Sequence, residues 1–385
     1  MNDYIPFALP DISQSEIDAV VEVLRSGWVT TGPKTKDFEA RFAEAVGGPQ
    51  CVMVNSCTAA LHLALEAVGV KPGDEVIVPT MTFAASAEVV RYLGAVPVLV
   101  DVRATDHNVD PAAVERAMGP RTRAILPVHF AGVPADMDEI NALARPRGLP
   151  VIADAAHAFP VDYRGRNVGS LADITCFSFY ATKTITTGEG GAAVTANEAW
   201  ADRMRIMSLH GISRDAWKRY TASGSWYYEV VAPGYKYNLT DVAAAMGLAQ
   251  LARAEAMRDR RAAIARRYAE VLGARGDVEL LSHAGDRTHA HHLFVMKPRL
   301  EMLSVDRDRL VAELKERGIG CSVHFIPLHM HPYYRETFGY RPSDLPTAEA
   351  AYRRSISLPL FSAMSDAQVE RVLAAVIEVL DAFRR

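Results

Sequence analysis

Short, nearly unbroken apolar runs alternate with stretches of helical spacing through the first two-thirds of the chain. The runs "CVMVNS", "DEVIVPT", "VPVLVDV", "RAILPVHF", "LPVIADAA" and "ADITCFSFY" are mostly apolar, with their polar residues largely toward the ends. A strand with one wet face would alternate, so these predict short strands buried on both faces of a mainly parallel sheet. Between them, "CTAALHLALEAVGV", "TFAASAEVVRYLG", "DPAAVERAMG" and "DMDEINALARPRG" predict helices. Strands alternating with helical crossovers make an α/β fold with helices on both faces of the sheet.

"GAAVTA" predicts a further strand. From Thr240 to about Gly273, Ala, Arg and Glu recur at helical spacing, predicting one long helix or a broken pair that bridges two domains. Beyond it, strands ("HHLFVMK", "CSVHFIPL") mix with helices (Arg307–Arg317 and Ser365–Phe383), as in a smaller α+β domain. The expected division is a large domain over residues 1–250, with an N-terminal arm, and a small C-terminal domain over 251–385. "GSWYYEVVAPGYKYNLTD" is aromatic and turn-rich, and reads as a loop with a binding or interface role.

The chain has 385 residues, 49% of them hydrophobic, enough for a large core. A net charge of −4 argues against general binding to nucleic acid or to anionic membranes. The start, "MNDYIPFALPDISQSE", lacks a basic region followed by an apolar one, and no run of about 18 uncharged apolar residues follows. A cytoplasmic protein is expected. The four cysteines, Cys51, Cys57, Cys176 and Cys321, form no C-x-x-C pair and no zinc spacing, so they read as free, mostly buried thiols.

One lysine changes the picture. In "SFYATKTITTGEGG", Lys183 follows a buried strand by only a few residues. A phosphate-cradling P-loop is excluded, because Thr182 precedes Lys183 and the glycines come after it. A solvated surface lysine fits poorly at the end of an apolar strand, where α/β sheets bind ligands. A partly buried lysine has a lowered pKa, which suits Schiff-base chemistry. With pyridoxal phosphate, such a lysine needs helpers. Asp154, ending the run "VIAD", is where a carboxylate for the pyridine nitrogen belongs, although a helix N-cap is an alternative for the same residue. In "NSCTAALHLAL", Ser56, Cys57 and Thr58 end a strand and open a helix, as a phosphate site requires. Ser178 adds a hydroxyl, and Phe83 in "PTMTFAAS" supplies a flat partner for a ring.

These motifs, with "GWVTTGP", "PVHFAGVPADMD", "GYKYNLTD" and "SLPLF", occur in the order and spacing of one family. The chain resembles the DegT/DnrJ/StrS sugar aminotransferases, a branch of the type I, aspartate aminotransferase-like, pyridoxal phosphate fold, over nearly its whole length. The resemblance implies a seven-stranded sheet in the large domain. It implies that pyridoxal phosphate is joined to Lys183, with Asp154 on the pyridine nitrogen, His157 near the 3-hydroxyl and Phe83 stacked on the ring. Thr58 and Ser178 would hold the phosphate, and Asn238 would reach the phosphate in the other subunit of a homodimer with shared active sites. Many relatives carry Gly where this chain has Cys57, which would be strained there only if φ were positive.

The implied reaction moves an amino group from L-glutamate to a nucleotide-linked 4-keto sugar, by resemblance a UDP-linked one. Trp226, Tyr228, His324 and His329, with Tyr333 nearby, are candidates for the acceptor pocket; packing against a partner, or within a strand, are the alternatives for these side chains. GDP- and dTDP-linked sugars and keto-inositols remain open. A dehydratase of the same fold is disfavoured, because those relatives replace the lysine with histidine. A non-enzymatic regulator would need neither Lys183 nor Asp154.

Overall fold

The computed structural model describes residues 4–213 and 227–385. In the N-terminal part the strands are β1 (Gln50–Val54), β2 (Glu75–Pro79), β3 (Val96–Val100), β4 (Thr122–Ile125) and β5 (Ile152–Asp154). They are followed by the hairpin β6 (Asp162–Tyr163) and β7 (Arg166–Asn167), then β8 (Ile174–Ser178) and β9 (Gly191–Thr195). Two sheets, β3-β2-β4 and β5-β8-β9-β1, are joined by parallel bridges from Ile125 to Val151 and from Val128 to Asp154. The result is seven strands in the order β3-β2-β4-β5-β8-β9-β1. All pairings are parallel except those of β9, which runs against both β8 and β1.

The unbroken apolar runs have a direct cause. Side chains alternate across a strand, and here both faces are covered. Along β1, Cys51 and Met53 join one core while Val52 and Val54 join the other. Along β2, Ile77 faces one way and Val76 and Val78 the other. The crossover helix Cys57–Ala67 contributes Leu61, Leu63 and Leu65 to one core, and Phe38 and Phe42 of the helix Pro33–Ala45 fill the other. β1, β2, β5 and β8 all run in the same direction, β9 alone being reversed, so their carboxyl ends open on one side of the sheet.

The stretch from Thr240 is a broken pair of helices, Asp241–Leu251 and Ala254–Gly273. Between them Arg253 pairs with Asp11 (2.8 Å) and Glu16 (2.9 Å) of the N-terminal segment. The second helix belongs to two cores: Ala254 and Met257 pack with the large sheet, whereas Ile264, Tyr268 and Leu272 pack with the C-terminal elements. Those elements are an antiparallel sheet β10-β11-β12 (Val278–Leu280, Phe294–Pro298 and Ile356–Leu358) and the helices Arg307–Glu316 and Asp366–Ala382. Ile5 joins this C-terminal core and exchanges backbone hydrogen bonds of 2.8 Å with Gly318 and Gly320. We propose the division between the two units near residue 250, ahead of this shared helix.

One expected strand is absent. "CSVHFIPL" pairs with β12 only through Ser322 and Ser357. Its next backbone groups turn to the end of β2 in the large sheet instead: the Phe325 N–H meets the Met81 sulfur at 3.4 Å, and the Leu328 N–H meets the Thr80 carbonyl at 2.9 Å. The segment therefore crosses the mouth of a cavity and leaves the sheet. Among the described residues, no helix is long and apolar enough to cross a membrane.

Candidate active site

A cavity of about 570 Å³ opens at the carboxyl ends of β1, β2, β5 and β8 and reaches the segment Ser322–Phe325. Lys183 lies in it. After β8 the chain folds into a tight turn, in which the Lys183 N–H donates to the Tyr180 carbonyl (2.9 Å) and the Thr186 hydroxyl to the Phe179 carbonyl (2.9 Å). The lysine side chain, half-buried, lines the cavity. Burial lowers its pKa to about 8; Cys57 and Asp154 push it back up, and Arg261 adds to the lowering.

Asp154, at the end of β5, shares the cavity wall. Its carboxylate accepts from the Ser86 hydroxyl (2.7 Å) and from the Ala156 N–H (3.0 Å), and the Cys57 sulfur lies 4.0 Å away. Burial raises its pKa, opposed by those two hydrogen bonds and by Lys183. No helix begins at residue 155, so Asp154 is not a helix cap. A buried carboxylate held by a hydroxyl and an amide, with no arginine on it, keeps lone pairs for a ligand.

The helix Cys57–Ala67 points its N-terminus into the same cavity. The Ser56 hydroxyl caps it by accepting from the Ala59 N–H (3.1 Å). The N–H groups of Cys57 and Thr58 have no carbonyl partner within the helix, which makes this end a site for an anion. The glycines after the lysine fit underneath: a Cβ on Gly191 would lie 2.4 Å from the Ser56 carbonyl carbon and 2.5 Å from the Cys57 nitrogen. Cys57 begins the helix without positive φ, so the departure from glycine carries no strain.

Phe83 lines the cavity with 64% of its surface exposed, a large share for a phenylalanine, and among the described residues only the tilted Phe325 ring lies near it, 6.2 Å between centroids. The His157 and His292 rings lie tilted against each other at 4.2 Å between centroids, and the Nδ1 of each is buried without a partner. Burial, reinforced by Lys183, holds both imidazoles neutral. His324 lies beside them, 2.9 Å from the Ser357 hydroxyl, and stacks on Phe7 of the N-terminal segment.

Of the residues expected from sequence, Ser56, Cys57, Thr58, Phe83, Asp154, His157, Ser178, Lys183 and His324 line this one cavity. His329 does not, which corrects its expected place in the acceptor pocket. It is fully buried, its Nε2–H donates to the Pro342 carbonyl (3.1 Å), and its Nδ1 lies 2.8 Å from the Thr80 hydroxyl. With both nitrogens used, it pins a turn to the end of β2. Tyr228 is 46% exposed and outside the cavity, and Tyr333 meets Arg91 at 3.1 Å. Trp226 lies outside the described residues. Asn238 is also off its own chain's cavity; its amide donates to the Thr31 hydroxyl (2.7 Å) and its oxygen accepts from Lys236 (2.6 Å). Sequence reading missed Ser86, His292, Tyr180 and Glu189. Ser86 stands four residues after Thr82, and their hydroxyls meet at 2.7 Å; that spacing was the available signal.

Residues 10–377 match the DegT/DnrJ/EryC1/StrS aminotransferase family. The chain belongs to this family. The spore coat polysaccharide biosynthesis protein SpsC of Bacillus subtilis is 48% identical over 381 residues, covering 98% of each chain. Spr1654 of Streptococcus pneumoniae, assigned as a sugar aminotransferase and solved in its PMP, PLP and apo forms, superposes in the PMP form with a TM-score of 0.92. It is 36% identical, over 98% of this chain and 99% of that one. Helicobacter pylori PseC, an aminotransferase of pseudoaminic acid biosynthesis, is 27% identical with a TM-score of 0.91, over 99% of this chain and 100% of that one. As a DegT/DnrJ/EryC1/StrS member, the protein is a sugar aminotransferase dependent on pyridoxal phosphate (PLP). The cavity fits that group: an open helix N-terminus for the phosphate, a buried carboxylate, an uncovered phenyl face and an unpartnered imidazole nitrogen.

Proposed function

We propose that this sugar aminotransferase moves the amino group of L-glutamate to the C4 keto group of a nucleotide-linked sugar, a UDP-4-keto-6-deoxyhexose or UDP-4-ketopentose. The observation that carries the reading is the Lys183 amine, with its pKa lowered to about 8, in one cavity with the buried carboxylate of Asp154. PLP, when bound, supplies an electrophilic carbon for amines and an electron sink for the carbanion that follows. Lys183 holds the cofactor through its neutral amine. With its amine free, Lys183 would take and return the proton moved at the reacting carbon. Asp154 keeps a proton on the pyridine nitrogen. The helix at Cys57–Thr58, with Ser178, anchors the phosphate, and this anchoring mainly positions the ring. Phe83 would cover one face of the ring, and His157 would meet the 3-hydroxyl.

His324 and Phe7, stacked at the cavity rim, supply a wall for the sugar. The choice of a UDP carrier rests on resemblance in "GSWYYEVV"; GDP- and dTDP-linked sugars and keto-inositols are the competing acceptors. An absorbance spectrum tests the reading in two stages. Glutamate should shift the cofactor band, and the correct keto sugar should restore it. Free UDP should protect against the return step better than GDP or dTDP. Protection by GDP or dTDP alone would overturn the carrier while leaving the transamination intact, and a band indifferent to glutamate would overturn the donor.

We also propose a cytoplasmic homodimer that shares its two sites, with Asn238 acting on the partner's phosphate. Leu24, Tyr92, Val230 and Val231 are each more than half exposed, which suits a surface covered by a second copy. Mixing inactive Lys183→Ala with inactive Asn238→Ala subunits tests it. Half of the dimers should be mixed and half of their sites intact, so about a quarter of wild-type activity should return. No recovery despite measured subunit exchange would confine Asn238 to its own chain.

A further inference from the structure

Arg261, on the helix Ala254–Gly273, is only 2% exposed. A buried guanidinium ordinarily faces a carboxylate, because an uncompensated buried charge is costly. Arg261 has no ion pair among the described residues; Asp11 acts on it only at a distance, and burial brings its pKa down to about 10, still charged at neutral pH. Its donors go to carbonyls instead. Nη1 reaches Leu360 (2.8 Å) and His291 (3.4 Å), Nη2 reaches Thr182 (3.5 Å), and Nε has no partner. The three carbonyls lie on the turn that carries Lys183, the loop that carries His292, and the chain just after β12.

We propose that Arg261 is a positioning residue for Lys183: its uncompensated charge, held beside the lysine turn through the Thr182 carbonyl, favours the neutral amine and aims it into the cavity. The proposal rests on the assignment of Lys183 as the residue that bears the cofactor. Of the groups around Lys183, Asp154 and Cys57 favour the ammonium, His157, His292 and His324 are neutral imidazoles, Glu189 and Tyr180 share the cavity wall, and Arg261 is the cation opposing the ammonium. Arg261 acts on His291, His292 and Lys183, Arg258 and Arg266 of the same helix also act on His291, and Asp11 stands farther off. Carbonyls alone need no permanent charge at this position, and an amide would bond them at lower cost. The charge is therefore the part that calls for a function.

The test compares two variants of the holoenzyme. Arg261→Gln keeps amide donors and removes the charge; Arg261→Lys keeps the charge. The visible absorbance of the bound cofactor reports protonation of the nitrogen it shares with Lys183, so a pH titration reads the local field. Arg261→Gln should move the midpoint upward by on the order of one pH unit, and Arg261→Lys should leave it within a few tenths. A midpoint unmoved in Arg261→Gln, equal shifts in both variants, or equal failure of both to fold would make the guanidinium a strut only and overturn the proposal. Borohydride reduction followed by peptide mass spectrometry separates the two assignments. Label absent from Lys183 defeats the parent assignment, while label on Lys183 with an unmoved midpoint defeats the role of Arg261 alone.

Discussion

Replacing Lys183 by alanine is expected to lower kcat by at least about 10⁴-fold, the upper range for loss of a proton-transfer group alone, while pyridoxamine phosphate still binds. The helix end at Cys57–Thr58, Asp154 and Phe83 remain in place to hold the cofactor, so the loss falls on chemistry. Turnover within tenfold of wild type would sink the assignment. Stability supplies an independent sign. In the folded chain the lysine pKa is about 8, below its ordinary 10.5. Between those values the unfolded chain binds more protons, so stability rises with pH there; below pH 8 the folded state carries the full cost of a buried ammonium. The cofactor-free Lys183→Ala protein should therefore melt no lower than wild type at pH 7. A lower melting temperature would mean that Lys183 is a structural cation.

Asp154→Asn is the second large effect, with kcat reduced roughly 10²–10³-fold, the scale found when one preorganised electrostatic partner is removed. The amide preserves the bond from the Ser86 hydroxyl but places no negative charge beside the pyridine nitrogen. The sign of the stability change again separates function from scaffolding. Burial raises the folded pKa of Asp154 above its unfolded value. In the window between the two, the folded chain binds more protons, so stability falls as pH rises through it and the cost is complete above the folded pKa. Removing the charge should leave the cofactor-free protein as stable as wild type or more so at pH 7. Near-wild-type turnover would reduce Asp154 to a packing residue.

Much of this architecture is written in local pattern. The strands of the large sheet are legible because both their faces are dry, so apolar side chains run without a break from Val76 to Val78, or with Thr175 alone between them from Ile174 to Phe177. Lys183 and Asp154 are legible for the complementary reason, as charges at the ends of such runs. Strand direction is another matter: "GAAVTA" reads the same parallel or antiparallel, and only the sheet shows β9 reversed. "CSVHFIPL" has a strand's composition, but its hydrogen bonds go to Thr80 and Met81 across the cavity, which no local pattern encodes. The same holds for side chains. Ser86 meets Asp154 across 68 positions of sequence. His329 and His324 look alike in "VHFIPLHM", yet one spends both nitrogens on the scaffold and the other faces the cavity.

The helix Ala254–Gly273 begins in one core and ends in the other, with Arg261 between them on the lysine turn. Such a rod leaves no seam along which the C-terminal unit can melt by itself. Loosening Tyr268 and Leu272 frees the same helix whose Arg261 side chain reaches the Thr182 carbonyl, so partial denaturation and loss of the lysine's environment become one event. For such a chain, tolerance of heat and retention of cofactor are coupled quantities, and selection for either acts on both.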